Sequence, residues 1–224
     1  MLVPQLIFAH LLADFIFQTK RIVEMKTKGW YGLFLHGGTF YITALYVLPS
    51  HLKTVFIPIT LLSIEHTFQD WVKIKLSRLT PRFGVFWYFL DQLCHFLGIF
   101  ILNAWVGDKV TSNNTEILLF MIGSSVIVLT RAWEITVMSN WARLRQHVQQ
   151  WNRWADVERL AALALVSLGG LIAVPFGATC VIPRFVMARR QGIKFQKLEY
   201  LEVGGGIICS IILGLGIWNL LQYI

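Results

Sequence analysis

The sequence predicts an all-α protein, a polytopic bundle of membrane helices. Three observations predict it. The chain is 56% hydrophobic and 14% charged, whereas a soluble domain carries about 25% charge. Its apolar residues fall into about seven blocks, each close to the ~20 residues that cross a hydrocarbon core at a rise of ~1.5 Å per residue. The blocks are also too long and unbroken for barrel strands, and only helices and closed barrels satisfy the backbone in lipid.

The blocks lie at 3–19, 30–48, 54–76, 85–107, 116–138, 159–183 and 199–222. Six or seven of them are expected to span. The first is the shortest. It lacks a basic n-region and carries His10 and Asp14, so it does not read as a signal peptide. Residues 1–107 are expected to form a four-helix core, and 108–224 a C-terminal set of membrane segments. Between blocks five and six, residues 139–158 mix Trp141, Arg143, Arg145, Trp151, Arg153 and Trp154, the pattern of an amphipathic helix lying on a membrane surface.

The formal net charge is +8. Nucleic-acid binding and basic cytoplasmic loops compete to explain it. The cations sit between apolar blocks and no basic tail is left over, so no nucleic-acid partner is expected. Loops 20–29 and 73–84 carry Lys20, Arg21, Lys26, Lys28, Lys73, Lys75, Arg78 and Arg82. The positive-inside rule puts both loops in the cytoplasm and the N-terminus outside. Trp30, Tyr31, Trp71, Trp87 and Tyr88 sit near these edges, as an aromatic belt does. Block six conflicts with the rule. A simple span would carry Arg184, Arg189, Arg190, Lys194 and Lys197 outside, unless 159–183 is re-entrant or broken near Pro175 and Gly177. Cys94, Cys180 and Cys209 lie within apolar blocks and read as small buried hydrophobes. Gly204, Gly205 and Gly206 read as a site of close helix packing. His51 and His147 read as surface histidines.

The first four blocks carry His10, Asp14, His36, His66, Asp70, Asp91 and His95. An ionisable residue inside a membrane helix is costly and marks a site. Three sets are i,i+4 pairs, which share one helix face. Two read HxxxD on helices running towards the cytoplasm, and one reads DxxxH on a helix running away. Reversing both direction and order leaves each aspartate nearer the cytoplasm. Counted from the helix ends, the aspartates lie roughly 8 Å deep, His10, His66 and His95 roughly 14 Å, and His36 roughly 9 Å. Glu65 adjoins His66 but points about 100° away.

Imidazole with carboxylate suits zinc first, with iron or manganese as alternatives. Seven such groups serve one divalent ion with supporting carboxylates, or two ions. Asp14, Asp70 and Asp91 are the candidate catalytic carboxylates, as ligands or general base. Interhelical hydrogen bonding and a proton relay are the competing uses of the same residues. Arg159 and Arg184, at the ends of block six, are candidate contacts to lipid phosphate.

The segments His10-Leu11-Leu12-Ala13-Asp14-Phe15, Gly32 to His36, His66-Thr67-Phe68-Gln69-Asp70 and Asp91-Gln92-Leu93-Cys94-His95 resemble a bacterial integral-membrane family of unknown function. The resemblance covers roughly 5–107. Glu158-Arg159, Arg184-Phe185 and Glu199-Tyr200 are similar to that family's weaker C-terminal pattern. Thr67-Phe68-Gln69 departs from the aliphatic run expected before the aspartate. A more distant similarity, in style rather than aligned motif, is to the membrane-bound metal-dependent hydrolases. Together these imply a bacterial inner-membrane protein with a metal site in the cytoplasmic leaflet. As an enzyme it would hydrolyse a lipid or lipid-linked substrate entering sideways from surrounding membrane lipids. The alternatives are a proton- or metal-ion-coupled transporter or channel, and a non-catalytic membrane partner or sensor.

Overall fold

The structure is a computed structural model that describes residues 2–224, the side chain of Ala142 excepted. Every regular element among the described residues is helical. Pro81–Lys109, Asn114–Asn140, Arg145–Arg190 and Lys197–Leu221 are long and apolar enough to cross a membrane, four candidates among the described residues. The pair Trp30–Tyr46 and Pro49–Leu79, which changes direction by 85° at its break, makes a fifth. This falls short of the expected six or seven, in part because the apolar stretch Val3–Phe17 is shorter than a span.

The chain divides into a unit ending at Phe120 and a unit Met121–Ile224. The connection after block four stays with the first unit because it is tied to the first helix. Gln5 Nε2 donates to Ser112 Oγ at 2.7 Å, and the rings of Phe8 and Phe120 lie 5.4 Å apart.

The first unit contains α1 (Val3–Leu11), which runs into a π-helical turn Leu12–Phe17, then α2 (Lys20–Lys28), α3 (Trp30–Tyr46), α4 (Leu52–Leu79) and α5 (Gly84–Val106). Thr19 caps α2, its hydroxyl accepting from Ile22 N–H. Contacts along the helices fix their directions. Trp30 stacks on Trp71, His36 meets His66, and Tyr41 meets Thr60, so α4 folds back antiparallel to α3. Glu65 lies against Gly98, Lys73 meets Asp91 and Thr80 meets Trp87, so α5 is antiparallel to α4. Leu2 meets Asn103 and His10 meets His95, making α1 antiparallel to α5. Thus α1 and α4 share one direction and α3 and α5 the other. Gly37 permits the α3–α4 approach, since a Cβ there would fall 1.9 Å from Thr67 Oγ1.

This unit inverts the polarity of a soluble domain. His10, Asp14, His36, His66, Asp70, Asp91 and His95 are all buried, whereas Phe34, Ile42, Ile64, Leu93 and Ile101 are exposed. An apolar cluster of Leu6, Phe40, Ile59, Ile99 and neighbours closes one side of the polar layer.

The second unit holds α7 (Trp133–Asn140), α8 (Arg145–Thr179), α9 (Ile182–Arg190) and α10 (Lys197–Leu221); α6 (Asn114–Ile127) crosses the division. The 46 residues Arg145–Arg190 would reach ~69 Å if straight, more than twice a ~30 Å hydrocarbon core. They are not straight. Gly170 has φ +58° and ψ −142°, and beyond it Gly177 packs against Val166 and Arg184 pairs with Glu158. The chain therefore reverses at Gly170, which makes block six a helical hairpin, with its break earlier than Pro175. Arg184 thereby returns to the level of Glu158.

The expected 139–158 amphipathic helix is not a separate element. From Arg145 it is the first part of α8, with Val148, Trp151 and Ala155 buried and Arg145, Gln149 and Arg153 exposed. Within the glycine run, Gly205 packs on Trp133 and Gly206 on Arg159, while Gly204 faces open space. The three cysteines are half-buried and free.

Candidate metal centre

Four helices deliver the polar layer. The π-helical turn after α1 carries Asp14; such turns insert one residue, re-aim side chains and recur at functional sites. From α3 comes His36, from α4 His66 and Asp70, and from α5 Asp91 and His95. The rings of His10, His66 and His95 cluster with centroids 5.4, 4.9 and 4.2 Å apart. The ring of Phe40 stacks on His66 at 4.7 Å. All seven expected residues therefore converge in one buried layer.

One part of it is a triangle. His36 Nε2 lies 3.1 Å from His66 Nε2 and 3.2 Å from Asp14 Oδ1, and His66 Nε2 lies 3.6 Å from Asp14 Oδ1. Zinc bound at ~2.0–2.1 Å in a tetrahedron has ligand–ligand edges of roughly 3.3–3.4 Å, within the range of these three. Asp14 Oδ1 and His10 Nδ1 are buried without hydrogen-bond partners among the described residues, and lie 3.9 Å apart. The sets His10–Asp14–His66, His36–His66–Asp70 and Asp70–Asp91–His95 each have ligand atoms close enough to share an ion.

The carboxylates are not equivalent. Asp70 Oδ2 accepts from Lys26 Nζ at 2.8 Å, and Lys73 Nζ donates to Asp70 Oδ1 at 3.0 Å and to Asp91 Oδ2 at 2.6 Å. Among the described residues, the Asp14 carboxylate pairs with imidazoles only. Three carboxylates with two ammoniums leave one formal negative charge, which a single divalent ion would turn into one positive charge. Two such ions would leave three positive charges in a buried layer, so the charge balance favours one. Gln92 joins the layer, with Oε1 3.4 Å from His10 Nε2 and Nε2 donating to Asp91 Oδ2 at 3.3 Å. His95 Nε2 lies 3.3 Å from Asp91 Oδ1, but neither ring nitrogen is aligned for a hydrogen bond among the described residues. Glu65 points aside to Gly98, as its helix position implied.

Lys26 and Lys73 are what sequence reasoning missed. Both counted as cytoplasmic loop cations, yet Lys26 is 5% exposed. For Lys73 the signal was present: it follows Asp70 by one turn of the same helix. For Lys26 there was none, because its position depends on α2 packing against α3 at Gly32.

In the second unit, Arg159 and Arg184 are held by carboxylates. Both are buried; Arg184 pairs with Glu158 and Glu202, and Arg159 with Glu202 and Asp156. His147 is not a surface residue either. It is buried between Glu199 at 3.4 Å and Glu202 at 3.6 Å.

No curated protein and no solved structure matches the chain. A family model described as "Protein of unknown function (DUF3307)" matches residues 2–122. That range holds all seven His/Asp residues and both lysines, ends two residues past the first unit, and leaves out the Glu158, Arg184 and Glu199 segments. The chain therefore belongs to the DUF3307 family, whose described function is unknown.

Proposed function

We propose that the chain is a bacterial inner-membrane protein that holds one divalent ion, zinc before iron or manganese, in the cytoplasmic leaflet and hydrolyses a lipid or lipid-linked substrate. The observation that carries this is the His36–His66–Asp14 triangle, with edges of 3.1, 3.2 and 3.6 Å. An octahedral ion at ~2.1 Å has ligand edges of only ~3.0 Å, which is why zinc comes first. His10 Nδ1 is the natural fourth donor. The N-terminus lies outside and loops 20–29 and 73–84 lie inside, with α3 and α4 crossing as separate helices.

A bound zinc ion lowers the pKa of its water towards neutrality. The chain supplies the rest. Lys26 and Lys73 fix Asp70, so its role is positioning. Asp91 keeps Oδ1 free of hydrogen bonds among the described residues while Lys73 holds Oδ2, which suits Oδ1 to take a proton from the attacking water. Access comes from the side. A cleft of about 170 Å³ between α4 and α5 has walls of Phe68, Val72, Leu76 and Leu90 and includes Lys73 and Asp91 in its lining. An apolar cleft ending on a base and an ammonium suits an acyl or prenyl chain with a polar scissile group.

The Lys73 bridge between two aspartates supports a second reading, an ion-coupled transporter, since a buried ammonium between two carboxylates is a place to exchange a cation. Elemental analysis of protein purified without chelators tests the first reading. It should find close to one zinc per chain, lost in His66→Ala. Stoichiometry below about one in ten in the native protein sinks it. Proton or metal flux into proteoliposomes, abolished by Asp70→Asn, would favour the transporter.

A further inference from the structure

On the flank of α4 opposite the apolar cleft is a cavity of about 450 Å³ between α2, the start of α3 and the end of α4. That volume is typical of a small-molecule site. Lys26, Lys28, Lys75 and Arg78 line it, and no carboxylate does among the described lining residues. The cations come from two separate helices, and α2 ends at Gly29 against the cavity. One wall is the Trp30–Trp71 pair, stacked at 5.6 Å and 20°, and Lys75 Nζ sits 4.9 Å over the Trp71 ring. Arg78 donates to the carbonyl of Thr27, which draws α4 to the end of α2.

We propose that this cavity binds the phosphodiester headgroup of an anionic glycerophospholipid. Asp70 already pairs with Lys26, but Lys28, Lys75 and Arg78 meet no carboxylate among the described lining residues; they repel one another unless an anion joins them, and phosphate is an anion that both lysine and arginine bind. The tryptophan pair sets the depth. Paired indoles beside lysines mark the headgroup level, where rings sit between chains and water. The outward faces next to the cavity are apolar, with Phe34 66% and Leu79 71% exposed, so acyl chains attached to a bound headgroup have a surface to lie on. A free phosphate would use the cations but neither the indoles nor that surface. Basic pockets between membrane helices on the cytoplasmic side bind anionic headgroups by this combination. Lys26 lines the cavity and also holds Asp70, so a headgroup here sits one side chain from the proposed metal centre. The assignment rests on the membrane placement proposed above and not on the metal.

The test is the full-length protein in nanodiscs, with headgroup occupancy read by native mass spectrometry and zinc measured in the same samples. Phosphatidylglycerol should be retained over phosphatidylcholine. Lys75→Gln with Arg78→Gln should weaken that preference roughly thirtyfold, at about a fivefold loss per cation, and leave zinc unchanged. Lys75→Arg with Arg78→Lys should keep the preference. If the glutamine pair does not fold, Lys28→Gln with Lys75→Gln, both exposed positions, gives the same reading. Equal retention of the two lipids, or a preference that survives both glutamine pairs, overturns the proposal. So does displacement of the lipid by millimolar inorganic phosphate, which would reassign the cavity to the free ion. Loss of zinc in the native protein, with the lipid preference intact, would sink the metal reading and leave this one standing.

Discussion

Lys73 Nζ lies 2.6 Å from Asp91 Oδ2, across the α4–α5 interface, in a layer that also contains Asp70. The pair ties two helices together by charge at a depth where neither charge is cheap alone. Removing one partner strands the other. Lys73→Met should therefore cost about 3 kcal/mol, read as a fall in thermal unfolding temperature in detergent. Adding Asp91→Asn to it should recover part of the loss, because fewer unpaired charges remain. Additive losses in the double variant would show that the two residues do not act on each other.

Asp14 and Asp91 should separate in a metal titration. Among the described residues, the Asp14 carboxylate pairs only with imidazoles, whereas Lys73 already neutralises Asp91. Asp14→Asn and His36→Ala should weaken zinc binding by well over a hundredfold, beyond the ~10–100-fold typical of supporting residues. Asp91→Asn should keep the metal to within about tenfold and lose turnover. Isothermal titration with a competing chelator measures the first, and product release from a lipid ester the second. Equal metal loss in all three would make Asp91 a ligand.

How the sequence showed this layer, and where it did not, follows from distance along the chain. His10–Asp14, His66–Asp70 and Asp91–His95 are local pairs, and their reversed order encodes helix direction, so convergence was readable without a fold. His36 entered as a lone residue and still proved central. Lys26 was not readable as a site residue, because a basic residue near a helix end obeys the positive-inside pattern whether it faces water or a buried aspartate; Lys73 had only its place one turn after Asp70 to mark it. The hairpin at Gly170 was half visible. The charges after residue 183 forbade a plain span, but a reversal at Gly170 rather than at Pro175 depends on a backbone conformation that hydropathy does not carry. Glu202 was invisible for the same reason as Lys26. Its partners Trp133, Arg159 and Arg184 lie far away in sequence.

Gly37 should tolerate no side chain while Thr67 is opposite. A Cβ there would fall 1.9 Å from Thr67 Oγ1 and 3.2 Å from its Cβ. Gly37→Ala should cost about 1–3 kcal/mol by overpacking. It should also loosen zinc binding, since His36 moves with its neighbour. Thr67→Ala alone should be mild, and the double variant should recover most of the stability because the closer contact is gone. Urea or thermal unfolding of the three variants decides it. No recovery in the double variant would place the strain elsewhere.

The reversal at Gly170 makes a prediction about sidedness that a straight helix cannot share. Arg153 lies before the hairpin and Arg190 after it, with Glu158 and Arg184 paired at its base. In a background with Cys94, Cys180 and Cys209 replaced, Arg153→Cys and Arg190→Cys should label from the same side with a membrane-impermeant maleimide. On the proposed topology that side is the cytoplasm, so inverted vesicles label and intact cells do not. A single crossing at 159–183 would label the two from opposite sides. Gly170→Ala should disturb the hairpin itself. An L-residue at φ +58° is strained, and its Cβ would fall 2.4 Å from the Trp218 ring. If Trp218→Ala restores only part of the stability lost in Gly170→Ala, the remainder measures the backbone strain, expected at about 1–3 kcal/mol. Full restoration would assign the whole penalty to the indole and remove the left-handed turn as the reason for glycine.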